Sequence, residues 1–435
     1  MDEITLGIIA CFFILFFFLT GIELAFGIAI TGIVGYGLLS GFDVAFNLFA
    51  QDFLDTLSGY SLTVIPLFML MGQIAFHSGI AKRLYDAAYK LIGRIPGGLA
   101  MATVVAATMF KAMSGSTLGT AATFSMVAIP EMTGYNYSKK LSTGTVASVG
   151  TLGIILPPSI TMIVFGIMTE QSIGKLFLAG IFPALLISFF CIAIIYVWCK
   201  IDPTLGPRAT EAFTWRERVR ALPEFIAVAV IFFIVIGGIM SGLFTPTEAG
   251  TIGTVAVLIL ALLRRGLTFK VFVKSIDESL RNGVMVLFLI ACSAILAHFF
   301  AITTIPQIAA DWLTSLPLSK ELIMVVICFF YLLGGSFIDD MAFMILATPI
   351  LYPAIPKLGY DPIWFGVVVG ITIMIGTIIP PVAVGVFVVK SITGESFKTI
   401  YTGVVPFLLS FVIVAALLFL FPQIATFLPY TFMGR

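Results

Sequence analysis

Long apolar runs constrain this chain more than any other feature of its sequence. A helix needs roughly 20 apolar residues to cross the hydrocarbon core of a bilayer, and ten runs close to that length are present. They lie at 4–20, 22–40, 61–80, 141–170, 176–199, 222–242, 247–264, 283–301, 363–389 and 401–420. Charged residues make up 10% of the chain, against about 25% in water-soluble domains. The sequence therefore predicts an all-α integral membrane protein with about ten transmembrane helices.

Charge and cysteine usage exclude several classes of protein. The net charge of +1 gives no basic surface for nucleic acid. The five cysteines lie in apolar segments without the spacing of a zinc site or a disulfide framework. Asp2 and Glu3 precede the first run where a signal peptide would carry lysines, so we expect that run to be retained as a helix. No catalytic residue is predicted.

The distribution of basic residues predicts the topology. Five clusters hold 18 of the 23 lysines and arginines, at 82–94, 139–140, 200–220, 264–281 and 390–398. Basic residues concentrate on the cytoplasmic side of membrane proteins. All five clusters reach that side only if regions 97–132 and 321–355 each enter and leave the membrane on one face.

Both regions are predicted to be re-entrant helical hairpins. Each contains two short apolar segments around a polar centre, which lies at 114–117 in the first region and at 335–340 in the second. A helix of about 15 residues rises only ~22 Å, less than the ~30 Å of the hydrocarbon core. The alternative is a pair of complete hairpins made of short, tilted helices.

The chain also resembles itself at an offset of about 223 residues. The clearest match joins residues 152–158, with the sequence LGIILPP, to residues 375–381, with the sequence IGTIIPP. The predicted units span 1–205 and 221–430, with a basic cytoplasmic linker at 206–220. Five spans and one hairpin give each unit an odd number of crossings, so the second unit is predicted to be inverted, as in many secondary transporters.

Four polar breaks in the helices are the predicted ion sites, namely the two hairpin tips and the interruptions at 148–158 and 372–381. Unpaired backbone groups are costly inside a membrane unless they bind something, and a cation is the predicted ligand. The predicted cation ligands are Ser114, Gly115, Ser148, Gly150 and Thr151 in the first unit, and Gly335, Ser336, Asp339, Gly376 and Thr377 in the second. Alternatively, the glycines permit close helix packing and the prolines only kink the helices.

Lys111 lies three residues before the first hairpin tip, deep in the predicted membrane region. A charge there is costly and usually functional, so Lys111 is predicted to bind an anionic substrate; the alternative is a lysine that extends into a water-filled cavity. The predicted substrate-binding residues are Lys111, Ser116, Thr117, Pro157, Pro158, Asp340, Pro380 and Pro381. Glu23 and Glu248 occupy matching turns of the two units and are expected to cap or tether helices.

Four strings together resemble a known family. They are FKAMSGS (110–116), GTLGIILPPS (150–159), LFTPTEA (243–249) and GTIIPP (376–381). In this order over nearly the full length, they resemble the large membrane subunit of tripartite ATP-independent periplasmic (TRAP) transporters. The resemblance implies Na⁺-driven uptake of an organic anion, a carboxylate or sulfonate, across the bacterial inner membrane by an elevator motion. It also implies two partners, a small four-helix membrane subunit and a periplasmic substrate-binding protein.

Three other functions share part of this sequence pattern. A stand-alone sodium–anion symporter would share the hairpins and the inverted repeat. An ion channel would differ in lacking saturable, Na⁺-coupled flux of an organic anion. An intramembrane aspartyl protease could use Asp86 with Asp339 or Asp340, but Asp86 lies in a basic cytoplasmic segment and the chain contains no GxGD string.

Overall fold

A computed structural model gives the fold of residues 3–208 and 213–434. Asp2 and residues 209–212 of the predicted linker lie outside the described residues. The described part consists of helices and contains no strand. The first unit contains α1 (Glu3–Thr20), α2 (Leu24–Ser40), α3 (Phe42–Ser58), α4 (Val64–His77), α5 (Ile80–Ile92), α6 (Gly98–Ser114), α7 (Thr117–Gly134), α8 (Lys139–Gly150), α9 (Ile160–Met168) and α10 (Ile173–Ile201).

The second unit repeats much of this order. It contains α11 (Trp215–Met240), α12 (Pro246–Leu263), α13 (Phe269–Thr303), α14 (Ile305–Ser315), α15 (Lys320–Phe337), α16 (Asp340–Leu351), α17 (Ala354–Lys357), α18 (Pro362–Gly376), α19 (Val384–Thr393), α20 (Phe397–Leu420) and α21 (Gln423–Phe432). Short 3₁₀ helices lie at Tyr60–Thr63 and Thr151–Ile154.

Polar side chains begin many of these helices. Thr245 and Glu248 form a capping box at the start of α12, in which each side chain bonds to the backbone N–H of the other residue. This pairing satisfies N–H groups that the first helical turn leaves free, and it confirms the expected capping role of Glu248. Glu23, at the matching position of the repeat, is itself the residue before α2 and makes no capping hydrogen bond through its side chain.

The helices confirm a multi-pass membrane protein. Among the described residues, seven helices are long and apolar enough to cross a bilayer. They are Tyr60–His77, which includes the 3₁₀ turn, together with α10, α11, α12, α13, α15 and α20. The predicted runs 141–170 and 363–389 are each broken into two helices, α8 with α9 and α18 with α19, at the interruptions expected from the sequence.

Two features differ from the prediction. Helix α3 was missed because Asp43, Asn47, Asp52 and Asp55 recur along it and lower its mean hydropathy. The hairpin arms were also expected to be about 15 residues long, but α6, α7 and α15 have 17, 18 and 18 residues. At ~1.5 Å per residue, α7 and α15 each rise ~27 Å, which is longer than expected but still less than the ~30 Å core. Of the two, α15 is also apolar enough to count among the helices that could cross a bilayer. Placement of the hairpins in the bilayer stays a prediction.

The two units interleave. Helix α8 packs against α20 and α18 against α10, while α9 packs against α16 and α19 against α7. Each of these contacts pairs a helix of one unit with a helix of the other. A further group joins α2 and α4 to α12 and α13. These contacts bring the helix breaks and the hairpins of both units close together. The inverted orientation and the unit boundaries stay predictions.

Candidate functional site

A cavity of about 380 Å³ lies where the two hairpin tips meet. This volume falls within the range of small-molecule sites in proteins. Its polar lining comes from both tips and from α4, α9 and α13, namely Gln73, Ser114, Ser116, Thr117, Thr161, Glu278, Asn282, Asp339 and Asp340. Phe76, Phe110, Met285 and Val388 are among its apolar lining residues.

The first hairpin tip is held against the break between α8 and α9. Ser116 caps α7, and its hydroxyl accepts a hydrogen bond from the Gly119 N–H at 3.1 Å. Gly115 has φ +57°, and a Cβ added there would lie 2.8 Å from the Pro158 carbonyl oxygen. A glycine is needed at this position both for the backbone conformation and for the close approach.

The second tip is held by hydrogen bonds to the break between α18 and α19. The Ser336 carbonyl accepts hydrogen bonds from the Val382 N–H at 3.0 Å and the Ala383 N–H at 3.2 Å. Asp339 caps α16, since its carboxylate accepts a bond from the Met341 N–H at 3.2 Å. A Cβ on Gly376 would lie 2.7 Å from the Gly335 carbonyl carbon. Close packing, the alternative explanation for these glycines, is therefore present at this break.

A side-chain hydrogen bond at the cavity joins α9 of the first unit to α16 of the second. The Thr161 hydroxyl, on α9, donates to the Asp340 carboxylate, on α16, at 3.1 Å. Both side chains are buried, with Asp340 only 4% exposed. A carboxylate this deeply buried needs hydrogen bonds or a counter-charge to remain ionised.

Lys111 does not line the cavity. Its side chain is fully buried and its ammonium group donates to the Ser116 carbonyl at 2.5 Å. The same group lies against Gly153, where an added Cβ would overlap it. Lys111 therefore bridges the first tip and the Thr151–Ile154 turn from behind the cavity wall. Direct contact between Lys111 and the substrate stays a prediction, and the position of the side chain outside the cavity lining does not favour it.

The cavity is electrostatically negative. Its lining includes the carboxylates of Glu278, Asp339 and Asp340, and no lysine, arginine or histidine among the described residues. Glu278 contacts the His77 imidazole at 2.8 Å and the Lys274 ammonium at 3.7 Å. The two aspartates have no such basic partner within ion-pair distance among the described residues. This lining favours a cation beside any bound anion.

The structure places six predicted site residues at the cavity, which are Ser114, Gly115, Ser116, Thr117, Asp339 and Asp340. The others lie away from its lining. Ser148, Gly150, Thr151, Pro157, Pro158, Gly335, Ser336, Gly376 and Thr377 are buried at the breaks and the second tip, whereas Pro380 and Pro381 are exposed.

Four lining residues were missed from the sequence, namely Gln73, Thr161, Glu278 and Asn282. Gln73 carried a usable signal, because a polar side chain inside the apolar run 61–80 must find a partner. Glu278 and Asn282 gave none, since they precede the predicted span 283–301 and resemble the charged segment before it.

The predicted second-unit ligands lie on adjoining segments, but most of their oxygens already have hydrogen-bond partners. The Ser336 carbonyl accepts bonds from Val382 and Ala383, the Thr377 carbonyl accepts one from Gly385, and the Asp339 carboxylate accepts bonds from the N–H groups that it caps. The hydroxyls of Ser336 and Thr377 and the Asp339 carboxylate keep further lone pairs, as cation ligands require. Na⁺ binding there stays a prediction. In the first unit the Ser148 hydroxyl is fully buried and has no hydrogen-bond partner among the described residues. The Lys111 ammonium lies at the Ser116 carbonyl and Gly153, next to residues of the predicted first-unit set.

Known proteins share this sequence over most of its length. Residues 8–424 match the family described as "Tripartite ATP-independent periplasmic transporter, DctM component". The C4-dicarboxylate TRAP transporter large permease protein DctM of Pseudomonas aeruginosa is 34% identical over 86% of this chain and 87% of its own. The sialic acid TRAP transporter large permease protein SiaM of Vibrio cholerae is 31% identical over 89% of this chain and 90% of its own.

Two further matches differ from these: one relative is longer than this chain, and the other match is a likeness of fold at low sequence identity. The isethionate TRAP transporter permease protein DctMQ of Oleidesulfovibrio alaskensis is 30% identical over 90% of this chain but only 61% of its own length. The solved structure of the Alcanivorax borkumensis YdaH transporter matches 88% of this chain and 89% of its own, with a TM-score of 0.55 and 12% identity. That likeness concerns the fold alone.

The matched relatives are named as transporter permeases and not as enzymes. The family match covers the hairpins, the breaks and the cavity together. This chain therefore belongs to the tripartite ATP-independent periplasmic transporter family as its DctM component, the large membrane subunit, and is a multi-pass protein of the bacterial inner membrane.

Proposed function

We propose that this chain is the permease of a sodium-driven importer that takes up an organic anion, a carboxylate or a sulfonate. The observation that carries the proposal is the cavity between the two hairpin tips, where helix N-termini meet the carboxylates of Glu278, Asp339 and the buried Asp340. A site that holds an anion next to a cation couples their binding, because each lowers the electrostatic cost of the other.

In this proposal the anion binds at the start of α7. Residues Ser116 to Gly119 line the cavity there, and the first turn of a helix offers free N–H groups and the positive end of its dipole. Relatives are named for C4-dicarboxylates, sialic acid and isethionate, which are carboxylates and a sulfonate. The substrate of this chain belongs to that chemical class.

In this proposal Na⁺ binds at the second unit. Asp339, Ser336 and Thr377 would hold it, with backbone oxygens of Gly335 and Gly376 near by. Bound there, Na⁺ would offset the negative lining and so favour entry of the anion. The first-unit set of Ser114, Gly115, Ser148, Gly150 and Thr151 stays a prediction because the Lys111 ammonium lies beside it.

The helices suggest how the site would move. One group joins α2 and α4 to α12 and α13, and the other joins the hairpins to the broken helices. In the proposed elevator motion the second group carries the hairpin tips and α9, which form one side of the cavity, past α4 and α13 of the first group, as in transporters that move one bundle against another. The proposed partners are a small membrane subunit and a periplasmic binding protein that delivers the anion. The longer isethionate permease is compatible with a chain that includes an added subunit.

The proposal is tested by uptake into proteoliposomes. The chain is reconstituted with its small membrane subunit, and candidate binding proteins are added with a panel of radiolabelled carboxylates and sulfonates. We expect accumulation of one anion only with an inward Na⁺ gradient and its binding protein. Accumulation without a binding protein would favour a stand-alone symporter. Accumulation to the same level with and without the Na⁺ gradient would contradict sodium coupling.

A further inference from the structure

Lys111 has a position that the proposed function does not use. Its ammonium is fully buried, bonds to the Ser116 carbonyl at 2.5 Å and lies against Gly153. It is thus enclosed between the first hairpin tip and the turn that interrupts the first broken span. The cavity, where an anion has access, lies on the other side of the tip.

The second unit has the opposite charge at its tip. Lys111 lies three residues before the end of α6, and Gly334 lies three residues before the end of α15. After the tips, α7 is capped by the neutral Ser116 whereas α16 is capped by Asp339 and begins with Asp340. One tip therefore has a built-in positive charge, and the other has two acidic side chains.

The chemistry around the Lys111 ammonium is that of a small cation site. Its hydrogen-bond acceptor is a neutral backbone carbonyl. The Ser148 hydroxyl, fully buried and without a hydrogen-bond partner among the described residues, lies on the helix that leads into the turn carrying Gly153. Neutral carbonyl and hydroxyl oxygens are also the groups that hold Na⁺ at interrupted helices.

We propose that the Lys111 ammonium is a tethered cation that takes the place of an exchangeable Na⁺ at the first hairpin tip, so that Na⁺ binds only at the second. This inference rests on the proposed sodium coupling. A covalently held cation keeps the first tip closed on its broken span throughout the transport cycle. The energy for uptake is then drawn from Na⁺ at the second unit alone.

The test counts Na⁺ per chain. Radioactive Na⁺ binding and Na⁺-dependent thermal stabilisation are measured on purified wild type, Lys111→Gln and Lys111→Ala. Lys111→Arg keeps the charge, and Lys398→Ala removes an exposed lysine as a matched control. We expect one bound Na⁺ in wild type, Lys111→Arg and Lys398→Ala, and one more in the two neutral variants, with a larger thermal shift on adding Na⁺.

The outcomes separate the two proposals. Two Na⁺ bound by wild type, or the same count in wild type and the neutral variants, would overturn the tethered-cation proposal while leaving sodium coupling intact. No Na⁺ bound by wild type would overturn sodium coupling itself. The wild-type count decides the inference even where a neutral variant fails to fold.

Discussion

The hydrogen bond between Thr161 and Asp340 shows how much depends on single side chains at the cavity. Thr161 follows the first Pro-Pro pair, and Asp340 begins the second arm of the other hairpin. The bond joins the two units beside the proposed anion site. Hydrogen bonds to charged groups contribute about 1.5–3 kcal/mol, so its loss should be measurable in transport.

Thr161→Val removes the hydroxyl and keeps the shape of the side chain. We expect kcat/KM for anion uptake to fall roughly tenfold or more, since about 1.4 kcal/mol corresponds to a factor of ten. Thr161→Ser keeps the hydroxyl and is the matched control, expected to retain most of the uptake. Initial rates in proteoliposomes give both values. Equal loss in the two variants would assign Thr161 to packing instead.

For single residues, the sequence predicted which residues are important more reliably than it predicted the directions of their side chains. Polar residues at helix breaks inside an apolar chain must be satisfied; Ser114, Ser116 and Asp340, which were singled out on that ground, line the cavity, while their roles as ion or substrate ligands stay predictions. The direction of the Lys111 side chain could not be predicted, because it depends on Gly153, which leaves room for the ammonium and lies 42 positions further along the sequence.

The backbones of α8 and α20 approach each other closely where the two helices cross. Gly144 lies against Gly403, and a Cβ on either residue would overlap backbone of the other helix. Such a contact fixes α8, and with it the break that receives the first hairpin tip. Sequence alone does not single out this pair, since Gly144 and Gly403 are two of 40 glycines. The break itself was predictable because Pro157 and Pro158 cannot continue a helix.

Gly144→Ala is expected to destabilise the chain. Overpacking at a tight contact costs typically 1–3 kcal/mol, and backbone atoms have little freedom to move aside. Gly237→Ala, in α11, is the control, because nothing lies within 4 Å of the Cβ it adds. Thermal midpoints in detergent should fall for Gly144→Ala and stay level or rise for Gly237→Ala. A midpoint for Gly144→Ala at or above that of wild type would contradict the tight crossing.

For the whole molecule, the central claim is that two units of opposite orientation surround one transport cavity. The interleaving of α8 with α20 and α10 with α18 brings the units together. The positive charge clusters and the odd number of crossings predicted the inversion from the sequence. The cavity lining could not be predicted in the same way, because α4, α9 and α13 reach it only through packing of distant segments.

Labelling of single cysteines from the two sides of the membrane tests this claim most directly. In a background without the five native cysteines, Asp43→Cys and Lys357→Cys should react with an impermeant maleimide from outside. Asp86→Cys and Lys270→Cys should react only after the membrane is opened. Asp43 and Lys270 belong to matching parts of the two units, so labelling of Asp43→Cys and Lys270→Cys from the same side would contradict the inverted arrangement.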